Sequence, residues 1–257
     1  MSTNVPNDRR PTKAERKEQA RLEREALQQR LASRKRRNAL GVGLIAGGVA
    51  VAAAAFFLTP DEGGIPTPDA LLQRAGRAAT QAGCSEVQTT PPFDPADQDR
   101  QHVASTLGAP PLSAYATTPP TSGPHADTPL GAGVYETLSL DQLYASIHSL
   151  EHGASIVWYD PNAPAERIAQ LQEFFDRRLQ DASVGQDRVI VAPYDFPDQA
   201  NGLLPDGQQL ALVAWHRLRS CADVDLAVAY DFTSQYSFPT SSGRDYLGEA
   251  PEPGGAL

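Results

Sequence analysis

The apolar positions of this chain change period from one segment to the next. From Ala39 to Leu58 the sequence ALGVGLIAGGVAVAAAAFFL carries no charge over twenty residues. At about 1.5 Å per residue that run is long enough to cross a hydrocarbon core of about 30 Å. It predicts a single transmembrane helix over 39–58. A cleaved signal peptide is the alternative, although the run exceeds a usual signal core and Phe56-Phe57-Leu58 makes a poor cleavage boundary. Residues 59–68 then form a polar Gly/Pro linker. Thr67 followed by Pro68 predicts an N-cap and a first helical residue, and Leu71, Leu72, Ala75, Ala78 and Ala79 keep a helical period up to Gly83.

The period is clearest in the second half. Ser139 and Gln142 predict a capping box, Leu140, Leu143, Tyr144, Ile147 and Leu150 form one apolar stripe, and Gly153 is placed to end the helix as its C-cap. Ser155 to Tyr159 predicts a strand, Ala165 to Ala182 an amphipathic helix through Ile168, Leu171, Phe174, Phe175 and Leu179, and Arg188 to Ala192 a second strand. Together these make a βαβ unit. Gln209 to Trp215 supplies a further strand. Between Thr89 and Gly133 the chain is rich in Pro, Gly, Ser and Thr, with short strand-like pieces at His102-Val103 and Ser113 to Tyr115. So long a loop inside a compact domain is functional or disordered. The predicted fold class is therefore α/β of the α+β kind: a small mixed sheet with a βαβ unit and a long Pro/Gly-rich loop, on a single transmembrane anchor. The domain occupies 69–240, and 241–257 reads as a flexible tail.

Charge sets the orientation. Residues 1–38 hold twelve Lys and Arg against five Asp and Glu, whereas the remainder holds ten against twenty-six. The cluster Arg34-Lys35-Arg36-Arg37 abuts the apolar run, so the positive-inside rule places a basic tail in the cytoplasm and the acidic domain outside. Net negative charge on that domain excludes nucleic acid as its partner, since phosphate binding needs a basic footprint. The basic tail suits anionic lipid, so the expected partners are the membrane and an unidentified envelope protein. The two cysteines, Cys84 and Cys221, both lie beyond the apolar run, where an even count reads as a disulfide worth about 5 kcal/mol on the chain-entropy model. A thiolate metal site is the competing reading.

Four of the five histidines fall in three short runs: Gln101-His102-Val103, PPTSGPH ending at His125, and His148-Ser-Leu-Glu-His152. On a helix over 140–152, steps of about 100° put His148 and His152 on one face with Glu151 between them and the apolar stripe. Histidines at i and i+4 can chelate one ion. Proline and glycine in the PPTSGPH run build a rigid turn that can present His125 as a further ligand. The predicted metal ligands are His102, His125, His148, His152 and Glu151, with Glu151 a ligand, a partner behind the ligands or a base. Imidazoles without free thiols or usable methionine suit Cu(II) or Zn(II). His-x-x-Glu-His also matches the inverted zinc-hydrolase motif, but no convincing downstream acidic ligand accompanies it. Ser122 invites a nucleophile reading, yet no Gly-x-Ser-x-Gly elbow surrounds it. The plainest alternative is that the histidines only edge the core. His216, on the last predicted strand, reads as surface or core filling.

These residues carry a resemblance. Gln-His-Val, PPTSGPH, Gly133-Val134-Tyr135, HSLEHG leading into Trp158-Tyr159, Val-Ala-Pro-Tyr at 191–194, Ala214-Trp215 and Cys221 together resemble the bacterial family catalogued as domain of unknown function 3105. The likeness spans roughly Gln81 to Asp231 and includes His102, His125, His148 and His152. His216 departs from it, because glycine is expected after Ala-Trp. The resemblance implies a membrane-anchored exported domain and assigns no activity. The expected function is thus a membrane-anchored extracytoplasmic domain that binds Cu or Zn through a histidine cluster. A structural or interaction module is the alternative, a zinc hydrolase the third reading, and no catalytic residue is assigned.

Overall fold

The structure, a computed structural model, describes residues 65–104, 108–181, 188–240 and 243–253. All of them fall in the compact unit Gly63–Leu257. The expected transmembrane helix over 39–58 lies outside the described residues. Among those described, no helix is long and apolar enough to cross a membrane.

Helix α1 (Pro68–Gln81) starts as its sequence requires: the Thr67 hydroxyl accepts from Ala70 N, and Leu71, Ala75, Ala78 and Ala79 form its buried stripe. Helix α2 (Leu140–Glu151) has the full capping box of Ser139 and Gln142. Its C-cap is His152, and Gly153, expected at that position, follows one place later with φ 86°. That left-handed conformation lets the chain turn sharply into the sheet. The βαβ unit consists of β5 (Ser155–Tyr159), α3 (Ala165–Gln180) and β6 (Val189–Pro193), the two strands pairing in parallel from Ser155↔Val189 to Tyr159↔Pro193.

Around it the short strands β1 (Gln88–Thr89) and β4 (Gly133–Val134) and the hairpin β7 (Leu210–Ala214) with β8 (Arg217–Cys221) complete a six-stranded mixed sheet, ordered β1-β8-β7-β5-β6-β4. A separate parallel pair joins β2 (His102–Val103) to β3 (His125–Ala126). Side-chain alternation explains why β5, β6 and β7 read as unbroken apolar runs. Val157, Tyr159, Val191 and Leu212 face one core with α1, α3 and α4 (Leu226–Tyr236), whereas Ile156, Trp158, Ile190 and Val213 face the other with α2. Both faces are covered.

Three elements differ from the sequence reading. His216 lies in the tight turn between β7 and β8 with φ 51°, and not on a strand. The segment Ser113 to Tyr115 holds a 3₁₀ turn (Leu112–Ala114) in place of a strand. Residues 243–253 run along the domain, with Leu247 N donating to Gln235 O and Glu252 N to Glu151 O, and do not lead away from it. Cys84 and Cys221 are disulfide-bonded, and their Cα atoms, 3.9 Å apart, are closer than the expected range of about 4.4 to 6.8 Å. The bridge ties the end of α1 to the end of β8.

Candidate metal centre

The loop from Thr90 to Leu130 is held by specific bonds that its composition does not announce. Asp99 Oδ1 accepts from Phe93 N and from Ser122 Oγ, each at 2.6 Å, while Thr90 and Thr121 share a hydroxyl hydrogen bond of 2.7 Å. Gly123 has φ 119°, and a Cβ there would lie 2.7 Å from the Tyr115 ring, so this turn of PPTSGPH requires glycine. Gly123 N and His125 N then bond to the carbonyls of Asp99 and Gln101. These bonds place β3 against β2 with His102 opposite His125.

The pair lies against the last turn of α2, where His148 and Glu151 stand three residues apart. The ring of His102 is 4.8 Å from that of His125 and 4.6 Å from that of His148, centroid to centroid, and His125 is 4.9 Å from His148. One ligand atom from each of His102, His125, His148 and Glu151 falls within a 4.8 Å cluster. The His125 and Glu151 side chains are fully buried, while His102 stands at the exposed edge. Trp215 backs the His125 ring edge-on at 6.2 Å.

The hydrogen bonds behind the rings fix their direction. His125 Nδ1 meets Gly123 O at 2.8 Å, His148 Nδ1 meets Ala126 O at 2.7 Å, and His152 Nδ1 meets Glu252 O at 2.6 Å. A carbonyl only accepts, so each Nδ1 must carry the proton, which leaves Nε2 of a neutral ring as a bare lone pair. Those lone pairs face one another or a carboxylate. His148 Nε2 is 2.9 Å from His152 Nε2, and His125 Nε2 is 3.0 Å from Glu151 Oε2. The second approach is off the hydrogen-bonding line, so His125 Nε2 is a buried nitrogen with no hydrogen-bond partner among the described residues. Such an arrangement is repulsive unless a proton or a metal cation sits between the atoms.

Metal dimensions suit it. Ligand bonds of about 2.0 to 2.1 Å separate adjacent donor atoms by about 2.9 Å at a right angle and about 3.3 Å in a tetrahedron. The His125–Glu151 approach of 3.0 Å already matches, and His102 Nε2 stands 3.4 Å from Glu151 Oε2 at the exposed edge. The site also lies at the C-terminal, negative end of the α2 dipole, which favours a cation.

Electrostatics point the same way. Burial by itself pushes the Glu151 carboxyl up, but its contacts with His125 and Arg100 outweigh that and hold it at about 2. Glu151 is therefore a carboxylate. Burial pushes His148 down, the hydrogen bond to Ala126 opposes this, and the neighbouring histidines reinforce it. His148 is kept neutral, as a ligand must be.

Of the five predicted ligands, four come together in one cluster, and His152 sits beside it, its ring meeting that cluster at His148. That order inverts the zinc-hydrolase arrangement, in which the two histidines of the motif hold the ion and the glutamate stands off as base. Ser122 donates to Asp99, whose other oxygen takes His216 Nε2 at 2.9 Å, so the serine has no histidine to activate it. Sequence reasoning missed Arg100, which binds Glu151 through Nε and Glu252 through Nη2. Its one signal was proximity to His102. It also missed the Asp99–His216 pair and Glu252, contacts whose sequence separations of 117 and 100 no local pattern reveals.

Fold and site together define a small mixed α/β domain, stapled by one disulfide, with a His₃Glu group able to hold a metal ion. The chain belongs to the family described as protein of unknown function (DUF3105), whose model matches residues 112–247. That match takes in His125, His148, Glu151, His152 and Cys221. It begins after His102 and Cys84 and runs past Asp231 to cover part of the segment that packs on the domain. No curated protein and no solved structure matches the chain.

Proposed function

We propose that this chain is a membrane-anchored, extracytoplasmic domain that binds one transition-metal ion, Cu(II) or Zn(II), through His102, His125, His148 and Glu151, for metal handling or delivery in the cell envelope. The observation that carries the reading is the buried Glu151 carboxylate with the Nε2 atoms of His125 and His102 at 3.0 and 3.4 Å and His148 in the same cluster, the rings of His125 and His148 being tied through Nδ1 to backbone carbonyls. A core that only needed histidines as filling would satisfy both ring nitrogens.

The donor set of three nitrogens and one oxygen, with both cysteines in the disulfide, suits a borderline divalent ion and offers nothing to Cu(I). The anchor and orientation rest on the apolar run 39–58 and on the charge step across it. The disulfide is consistent with an oxidising compartment. Titration calorimetry of the full-length chain in detergent with Zn(II) and Cu(II) tests the binding: one ion per chain is expected, with proton release on binding. Absence of binding returns the cluster to a structural role.

A further inference from the structure

Glu252 lies a hundred residues beyond His152 in sequence, yet it touches three residues of the site. Its N–H donates to Glu151 O at 3.0 Å, its carbonyl accepts from His152 Nδ1 at 2.6 Å, and its carboxylate holds Arg100 Nη2 at 2.7 Å. The segment that delivers it is seated over the turn ending α2. A Cβ on Gly153 would stand 2.9 Å from Ala250 Cβ and 2.8 Å from Phe238 Cβ, so glycine is what lets the chain approach so closely. Further along, the rings of Phe238 and Tyr246 meet at a tilt with centroids 5.2 Å apart, and Glu249 takes Arg217 at 2.9 Å and His216 at 3.2 Å.

The contacts of Glu252 are of one kind. Each restrains a side chain or carbonyl that borders the ligand cluster. Glu252 O holds Nδ1 of His152 and so keeps its ring against His148. Arg100, with a half-exposed side chain, is fixed between Glu151 and Glu252 and closes the cluster on the Glu151 side. Without the strap His152 Nδ1 loses its acceptor and Arg100 keeps only its bond to Glu151. The buried carboxylate and the Nε2 atoms then become accessible to water and to competing ligands.

We propose that residues 243–253 form a latch over the metal centre that sets the rate at which the ion enters and leaves, with Glu252 as the positioning residue for His152 and Arg100. The proposal rests on the metal-binding reading and assigns its regulation. A physiological acceptor of the ion would act by drawing this strap aside. The latch lies outside the ligand cluster, so its loss alters exchange more than the identity of the bound ion.

Chelator challenge of the Zn(II)- and Cu(II)-loaded full-length chain tests this, by comparing the wild type with a chain ending at Glu249 and with Glu252→Ala. The truncated chain is expected to release its ion about 10- to 100-fold faster, the range by which groups behind metal ligands tune a site. Glu252→Ala keeps the backbone contacts and loses the Arg100 link, so it should fall between the two. The Cu(II) spectrum of both variants should stay that of the wild type. If the truncated chain does not fold, Glu252→Ala decides, and wild-type release by that variant overturns the latch. Equal release by all three chains overturns the latch while leaving the metal centre intact. A wild-type chain that takes up no ion overturns both.

Discussion

His125 Nε2 stands 3.0 Å from Glu151 Oε2, with both side chains fully buried and no hydrogen bond formed between them. The relationship joins strand β3 to helix α2, and each side is held: Gly123 O fixes the ring and Arg100 fixes the carboxylate. Pressed together in the interior, these two atoms need a proton or a metal cation between them. In the proposed metal centre an ion supplies that cation, with the rest of the cluster as its remaining ligands.

Removing a ligand should therefore weaken metal binding far more than it weakens the fold. His125→Ala and His148→Ala are expected to lower Zn(II) or Cu(II) affinity by at least about tenfold, and His216→Ala to leave it near the wild-type value. Titration calorimetry reads the affinity and circular dichroism the fold. Equal affinities for the His125 and His216 variants would remove His125 from the ligand set.

Glu151 makes the metal-free domain sensitive to acid. Its carboxyl lies at about 2 in the fold against an ordinary 4.5, so the stability it contributes is present above about pH 4.5 and is lost as pH falls toward 2. Urea unfolding across that range should show a steep decline, flattened in Glu151→Gln. A parallel decline in both chains would mean that Glu151 is not the group responsible.

The Asp99–His216 pair has a different window. Hydrogen bonding to Asp99 raises His216 above its ordinary 6.5, so its stabilisation is present below pH 6.5 and is lost as pH rises through the raised value. Burial pushes Asp99 up, but His216, Phe93 N–H and Ser122 together bring it below 3.8, so its stabilisation is present above 3.8 and is lost in stronger acid. The pair supports the fold most between those limits. His216→Ala should lower the melting temperature more at pH 5.5 than at pH 8.5, and an equal effect at both would contradict the pairing.

Loss of the Cys84–Cys221 bridge, by Cys84→Ser with Cys221→Ser, should cost about 2 to 5 kcal/mol in denaturant unfolding, because it closes a loop spanning 137 residues of sequence. For the proposed topology, a reporter fused after Leu257 should be active only when exported. Activity of a reporter restricted to the cytoplasm would reverse the orientation.

Much of the fold was legible because local signals agree with it. Thr67-Pro68, the Ser139–Gln142 capping box and the β5-α3-β6 alternation each specify their element within a few residues. Helix α4 was not legible: Leu226 to Tyr230 are all buried, so no polar face gives the sequence a 3.6-residue period. Strand β8 was hidden for the opposite reason, since Arg217-Leu218-Arg219-Ser220 is half-exposed and offers one apolar residue. Within the site, residue types on one helix revealed His148 and Glu151, and the rigid PPTSGPH run revealed His125. What brings His102 there is a two-residue parallel pairing, too short to read from any pattern. The placement of Arg100 and Glu252 follows from tertiary packing.

Whether the cluster is a metal centre is decided by the metal content of the purified full-length chain, followed by X-ray absorption at the edge of the metal found. About one Zn or Cu per chain is expected, with a nitrogen and oxygen shell at about 2.0 to 2.1 Å, imidazole scattering and no sulfur. A chain that carries no stoichiometric metal and takes up none when Zn(II) or Cu(II) is added, or a bound ion with thiolate ligands, would contradict it.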